Sequence, residues 1–147
     1  MGMEMRERPE NLRKEKPRQE KPVLPEEIRQ AAEANKALAE EGKALRDQIH
    51  STLRSLREAG VTLDDATKAT LRDYHQSIRA IHEELRDTHG AIRKIIEENR
   101  EGITAGDEDI IAQVVAQIQP IQQLRNEKGI AINAILTDML EFVTQIQ

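Results

Sequence analysis

Residues 71–96 read LRDYHQS IRAIHEE LRDTHGA IRKII, and this stretch decides the fold. Leu71, Ile78, Leu85 and Ile92 open successive sevens, and Tyr74, Ile81, Thr88 and Ile95 hold the fourth place in each. These are the a and d positions of a coiled-coil seam, so the stretch belongs to one long amphipathic helix. Arg72, Arg79, Arg86 and Arg93 take the b position, and His75, His82 and His89 take e, at the margin of the seam.

Working outward, the repeat sits in a helix expected over 62–100. Val61-Thr62-Leu63-Asp64-Asp65 looks like its start, with Thr62 as N-cap, Asp65 at N3 and Val61 as the apolar staple. A preceding helix is expected over 26–59. It opens with Pro25, Glu26 and Glu27 and ends at Gly60. Its seam (Ile28, Ala31, Leu38, Leu45, Ile49, Leu53, Leu56) is interrupted by Asn35 and Gly42. A third helix is expected over 107–146, after the break at 102–106 and with Asp107, Glu108 and Asp109 at its positive end. It is the most apolar segment. Arg125, Lys128 and Gly129 interrupt its seam, and Pro120 is expected to kink or divide it near 120.

No stretch alternates as a strand does. The fold class is therefore all-α: three long, coiled-coil-like helices in an antiparallel bundle or hairpin, sequential neighbours being antiparallel because their connections are short. Residues 26–147 form the helical domain. Residues 1–25 form a tail with four of the chain's five prolines, seven basic and five acidic residues and few apolar ones, a composition expected to be disordered. Adjacent apolar pairs in the third helix, such as Ile110-Ile111 and Ile135-Leu136, need partners on two sides, which predicts a homodimer.

Composition narrows the function. Of 147 residues, 33% are charged and the net charge is −5, with one Tyr, one Phe, no Trp and no Cys. Thiolate metal sites, Cys nucleophiles and disulfides are excluded. A net-acidic chain with two aromatic residues lacks the field and the stacking platforms that nucleic acid needs. No run is long and apolar enough for membrane insertion. No apolar segment follows the basic start as a leader would require, so the chain reads as cytoplasmic or as a mature exported chain. Histidines seven residues apart stand about 10.5 Å apart along a helix axis, too far to share one zinc ion. The row is read as seam cover, ahead of a metal-linked sensor or a pH-sensitive interface. No phosphate-cradling loop and no nucleophile on a strand–turn–helix elbow is present, so no catalytic residue, cofactor or resident metal is expected.

Two segments carry a family resemblance. Val61-Thr62-Leu63-Asp64-Asp65 and Leu136-Thr137-Asp138-Met139-Leu140 resemble the paired Leu-Thr-x-x-Gln motifs of the Spy/CpxP family of exported bacterial proteins, with Asp65 and Leu140 where that family carries Gln. The resemblance covers residues 61–146. It implies a non-enzymatic, ATP-independent holdase or envelope-stress protein, extracytoplasmic, forming a cradle-like antiparallel dimer that binds partly unfolded clients. On that reading Arg72, Arg79, Arg86 and Arg93 attract clients at long range. Ile118, Ile121, Ile132 and Met139 of the last helix are the first candidates for apolar contact. A structural coiled-coil adaptor that simply oligomerises is the competing expectation.

Overall fold

The computed structural model describes residues 23–146. Apart from 23–25, the expected tail lies outside the described residues. Those described form an all-α bundle: α1 (Glu26–Glu58), α2 (Asp65–Leu85), a 3₁₀ turn (Arg86–Thr88), α3 (Ala91–Glu98), α4 (Arg100–Thr104) and α5 (Glu108–Thr144). At 1.5 Å per residue, α1 and α5 run about 50 and 56 Å.

Helix α5 is the hub. It packs along α1 and also against α2, α3 and α4, whereas the α1 and α2 backbones hardly approach each other. Tyr74 of α2 meets Phe142 of α5, while Glu84 of α2 reaches Lys128, so these two helices are antiparallel. Ile28 pairs with Gln122 and Leu38 with Asn133, so α1 and α5 are parallel. This is the up-down-up order that short connections impose. Two apolar clusters result. One gathers Ile28, Ile103, Val114 and Ile118. The other gathers Ile49, Leu71, Ile78, Ile132, Leu136, Met139 and Val143.

Between the clusters lies a polar belt. Gln122 Nε2 donates to the Ile28 carbonyl (2.9 Å), and Asn35 Nδ2 donates to the Gln122 carbonyl (3.2 Å). Asn126 Nδ2 donates to Asn35 Oδ1 (3.2 Å), and Asn133 Nδ2 donates to the Leu38 carbonyl (3.0 Å) and to Glu41 Oε2 (3.2 Å). The residues that interrupt the α1 seam, Asn35 and Gly42, thus face the amide side chains of α5. Gly42 is the point of closest fit: a Cβ there would stand 2.8 Å from Asn133 Oδ1. Among the described residues no buried side-chain polar atom lacks a partner, so the belt carries no desolvation penalty of the kind an orphaned amide would impose.

Three sequence expectations are corrected. The N-cap of α2 is Asp64, not Thr62: its carboxylate accepts from the Thr67 N–H (2.7 Å), and Asp65 is the first helical residue. Aspartate is at least as good a cap as threonine, and starting at 65 leaves Val61 and Leu63 free to turn inward. The helix expected over 62–100 is broken at 86–90. Thr88 is buried and its hydroxyl bonds the Leu85 carbonyl (2.6 Å), and Gly90 adopts φ +75°, a conformation open to glycine at little cost. The seven-residue step from Leu85 to Ile92 survives the break, which is why the repeat reads straight through it. Of the two outcomes expected at Pro120, division of α5 does not occur. Pro120 and Ala116, whose carbonyl the proline leaves unbonded, are both exposed, so water can take the missing donor's place. Gly60 ends α1 as expected; the break expected over 102–106 is helical to Thr104 and Gly106 ends α4 instead, and each glycine is followed by a six-to-one hydrogen bond (Val61 N–H to the Leu56 carbonyl, Asp107 N–H to the Gly102 carbonyl). Asp107 caps α5.

The Asp64 carboxyl is held below its ordinary value by the Thr67 hydroxyl and then by the Thr67 N–H. A lowered folded value means stabilisation that is complete above the unfolded pKa of about 4 and is lost as pH falls through the folded value. Asp64→Ala should therefore lower Tm at pH 7, and the gap to the parent should close in acid. Asp64→Asn should keep the cap without this pH dependence. Thr62→Ala should change stability by less than about 0.5 kcal/mol. Thermal melts from pH 2 to 7 read all three.

Gly42→Ala should destabilise by about 1–3 kcal/mol, because overpacking against the tethered Asn133 amide outweighs alanine's helix preference of about 1 kcal/mol. In Asn133→Ala the same change should be neutral or stabilising. Urea unfolding of the four proteins gives the coupling.

Candidate functional site

The separation of α1 and α2 leaves a groove, with α5 as its floor. Its volume is about 610 Å³, within the range of ordinary ligand pockets. Asn35, Leu38, Ala39, Gly42 and Arg46 form the α1 wall. Arg79, His82, Glu83 and Leu85, followed by Arg86 and His89, form the opposite wall. Arg125, Gly129, Ile132 and Asn133 lie beneath. Leu38, Leu85 and Ile132 make the bottom apolar, and the belt amides surface at one side.

The groove is cationic in a chain of net charge −5. It holds four arginines against one carboxylate, Glu83, which pairs with Arg86 in an exposed i,i+3 bridge. Arg125 Nη1 points to the Thr88 carbonyl at the edge of hydrogen-bond range (3.5 Å). Among the described residues no carboxylate stands within ion-pair distance of Arg46, Arg79 or Arg125. Arg46 and Arg125 are half-buried, so their charge acts beside a low-dielectric wall and is screened less than a surface charge. The helix break helps to build this site, because Arg86 and His89 stand on the 3₁₀ turn and its end rather than on a continuing helix.

The arginine row is divided by the structure. Arg79 and Arg86 line the groove, while Arg72 and Arg93 are exposed elsewhere, Arg93 on α3 beyond the Gly90 turn. The apolar candidates need a larger correction. Ile118, Ile132 and Met139 are core residues at 0%, 6% and 1% exposure, and Ile121 is half-buried. In this conformation Ile118 and Met139 have no face to offer a client, and Ile132 reaches the groove only as part of its floor. Helix α5 serves partners on both sides, so its most apolar positions are consumed by the chain's own packing.

Comparison with protein-family models, with curated proteins and with solved structures finds no match to this chain. The site is therefore read from its own chemistry.

Two of its members went unread in the sequence. Arg125 stood out only as an interruption of the last seam, and Arg46, next to Leu45 at the edge of the first seam, carried no local signal. Their relation depends on how three helices meet. His82 and His89 line the groove and His75 does not. Among the described residues no three His, Asp or Glu side chains gather to hold a metal ion. No described helix is long and apolar enough to cross a membrane.

Proposed function

We propose that this protein is a non-enzymatic protein-binding module that captures segments exposed by partly unfolded proteins, without nucleotide. The groove between α1 and α2 carries this reading: a long, apolar-floored channel with unpaired arginines suits many weakly bound segments better than one small substrate. The resemblance to the Spy/CpxP family supports it from the sequence, though the capturing surface differs from the one expected there. Arg46, Arg79, Arg86 and Arg125 take the role first given to the arginine row, and Leu38 and Leu85 take the role first given to the apolar residues of α5.

Light scattering of a chemically unfolded client diluted into buffer tests this. Near-stoichiometric protein should suppress aggregation. The effect should weaken as salt rises, since exposed charges are screened beyond about 8–10 Å at moderate ionic strength. A folded chain that suppresses nothing at any ratio rejects the reading.

A second reading, an oligomerising scaffold, rests on the outer face of α5. Among its exposed residues from 112 to 134 only Glu127 is charged, and Ile130 is 54% exposed. A homodimer formed there should dissociate in Ile130→Glu, as read by sedimentation equilibrium. A monomeric parent at micromolar concentration rejects it.

A further inference from the structure

We infer that the groove receives an acidic amphipathic helix of another protein, which lies along α5 between α1 and α2 as the fourth helix of the bundle. The inference rests on the protein-binding reading above and narrows its partner to one shape and one charge.

Shape comes first. The α1 wall runs from Asn35 to Arg46, about 16 Å or three helical turns, and the opposite wall runs antiparallel to it from Arg79 to His89. Both walls and the floor are helices, whose backbone groups are already bonded internally. No strand edge is present among the described residues, so an extended segment would find no main-chain partners here. A helix satisfies its own backbone and needs only side-chain contacts. Gly42 and Gly129 keep α1 and α5 close, and Leu38, Leu85 and Ile132 offer an apolar strip for a partner's seam.

Charge selects among helices. Four arginines against Glu83 repel a basic segment and attract an acidic one. The chain's own first 25 residues carry seven basic and five acidic groups, the groove's own sign, and match it less well than an acidic partner. Arg79 and Arg86 are seven residues apart, about 10.5 Å along their axis. A partner helix lying alongside matches them with carboxylates at i and i+7. Arg46 and Arg125 face the other flank and the floor, so both edges of the partner's apolar seam should be acidic.

The test is fluorescence anisotropy with labelled synthetic helices of about three heptads: Leu/Ala at the seam with Glu at both flanks, the same peptide with Lys at the flanks, and the Glu peptide with proline at two central positions. The Glu helix should bind at least about tenfold more tightly than either of the others. Arg79→Gln together with Arg86→Gln should weaken it about tenfold, and Arg72→Gln, outside the groove, should not, with circular dichroism unchanged in all three positions. Equal binding of Glu and Lys peptides, insensitivity to the double substitution, or equal binding of the proline peptide overturns the inference. Inorganic pyrophosphate that displaces the peptide at equal concentration also overturns it, in favour of a small-anion site. The aggregation assay separates the two levels. Glu-helix binding without aggregation suppression keeps the groove's occupant and removes the holdase. Suppression by a protein that binds no Glu helix removes the occupant and keeps the holdase.

Discussion

The contact between Gly42 and Asn133 holds the rest of the structure in place. A helix with Asn35 and Gly42 in its seam cannot find its position along a neighbour by apolar packing alone. Only Ile28 and Ile49 of α1 are buried apolar residues, near its two ends, whereas α5 fully buries Val114, Ile118, Met139 and Val143. At about 1.5–3 kcal/mol per fully buried aliphatic side chain, α1 is anchored by apolar burial less than α5 is, and least between Ile28 and Leu45. The amides of Gln122, Asn126 and Asn133 supply what α1 lacks. A slip by one turn would set Asn133 against a side chain instead of Gly42 and would leave buried amides without partners, at about 1–3 kcal/mol each. The belt therefore selects the register more than it adds to stability, as a buried polar residue does in a coiled coil.

That register determines the site. With α1 parallel to α5 and α2 antiparallel to it, the α1 and α2 walls are held by the same floor without closing on each other. The belt brings Asn35 and Leu38 to the level of the Arg125–Gly129 segment, with Arg46 further along α1, and the break at 86–90 brings Arg86 and His89 to the Arg125 end from the other side. A single uninterrupted repeat from 62 to 100 would have carried Arg86 onward along a straight helix. The site thus forms where all three long segments depart from ideal seams.

The same departures explain what was legible in the sequence. Periodicity located α1 and α5 to within a few residues, and Gly60 and Asp107 marked their ends because those residues act through bonds to their immediate neighbours. The cap of α2 was misplaced by two residues because Thr62 and Asp64 are both competent caps, and the choice falls on the one that lets Val61 and Leu63 pack. The Gly90 break escaped because it preserves the heptad phase. Of the groove only Arg79 and Arg86 were legible, since Arg46 and Arg125 join them through the parallel pairing of α1 and the antiparallel pairing of α2 with α5. Asn35, Gly42 and Gly129 were visible as flaws. That Asn35 and Gly42 meet the amides of Asn126 and Asn133, and Gly129 meets Leu38, is a property of the pair of helices and of neither alone.

This arrangement couples the groove to the fold. Helix α1 buries only Ile28 and Ile49 among its apolar residues over 33 positions, and it forms one entire wall of the groove. Leu38 and Leu85 remain half-buried because nothing lies between them. Any occupant that covers them adds apolar contact to α1 at the level where its own seam is polar, and so favours the docked helix over a detached one. By mass action the chain is stabilised by RT ln(1 + [L]/Kd), about 2.7 kcal/mol when the ligand stands at a hundred times its Kd. An empty groove leaves α1 dependent on the amide belt. The weakness of the first seam is then the feature by which binding is felt throughout the bundle, because the residues that loosen α1 are the ones that open the channel.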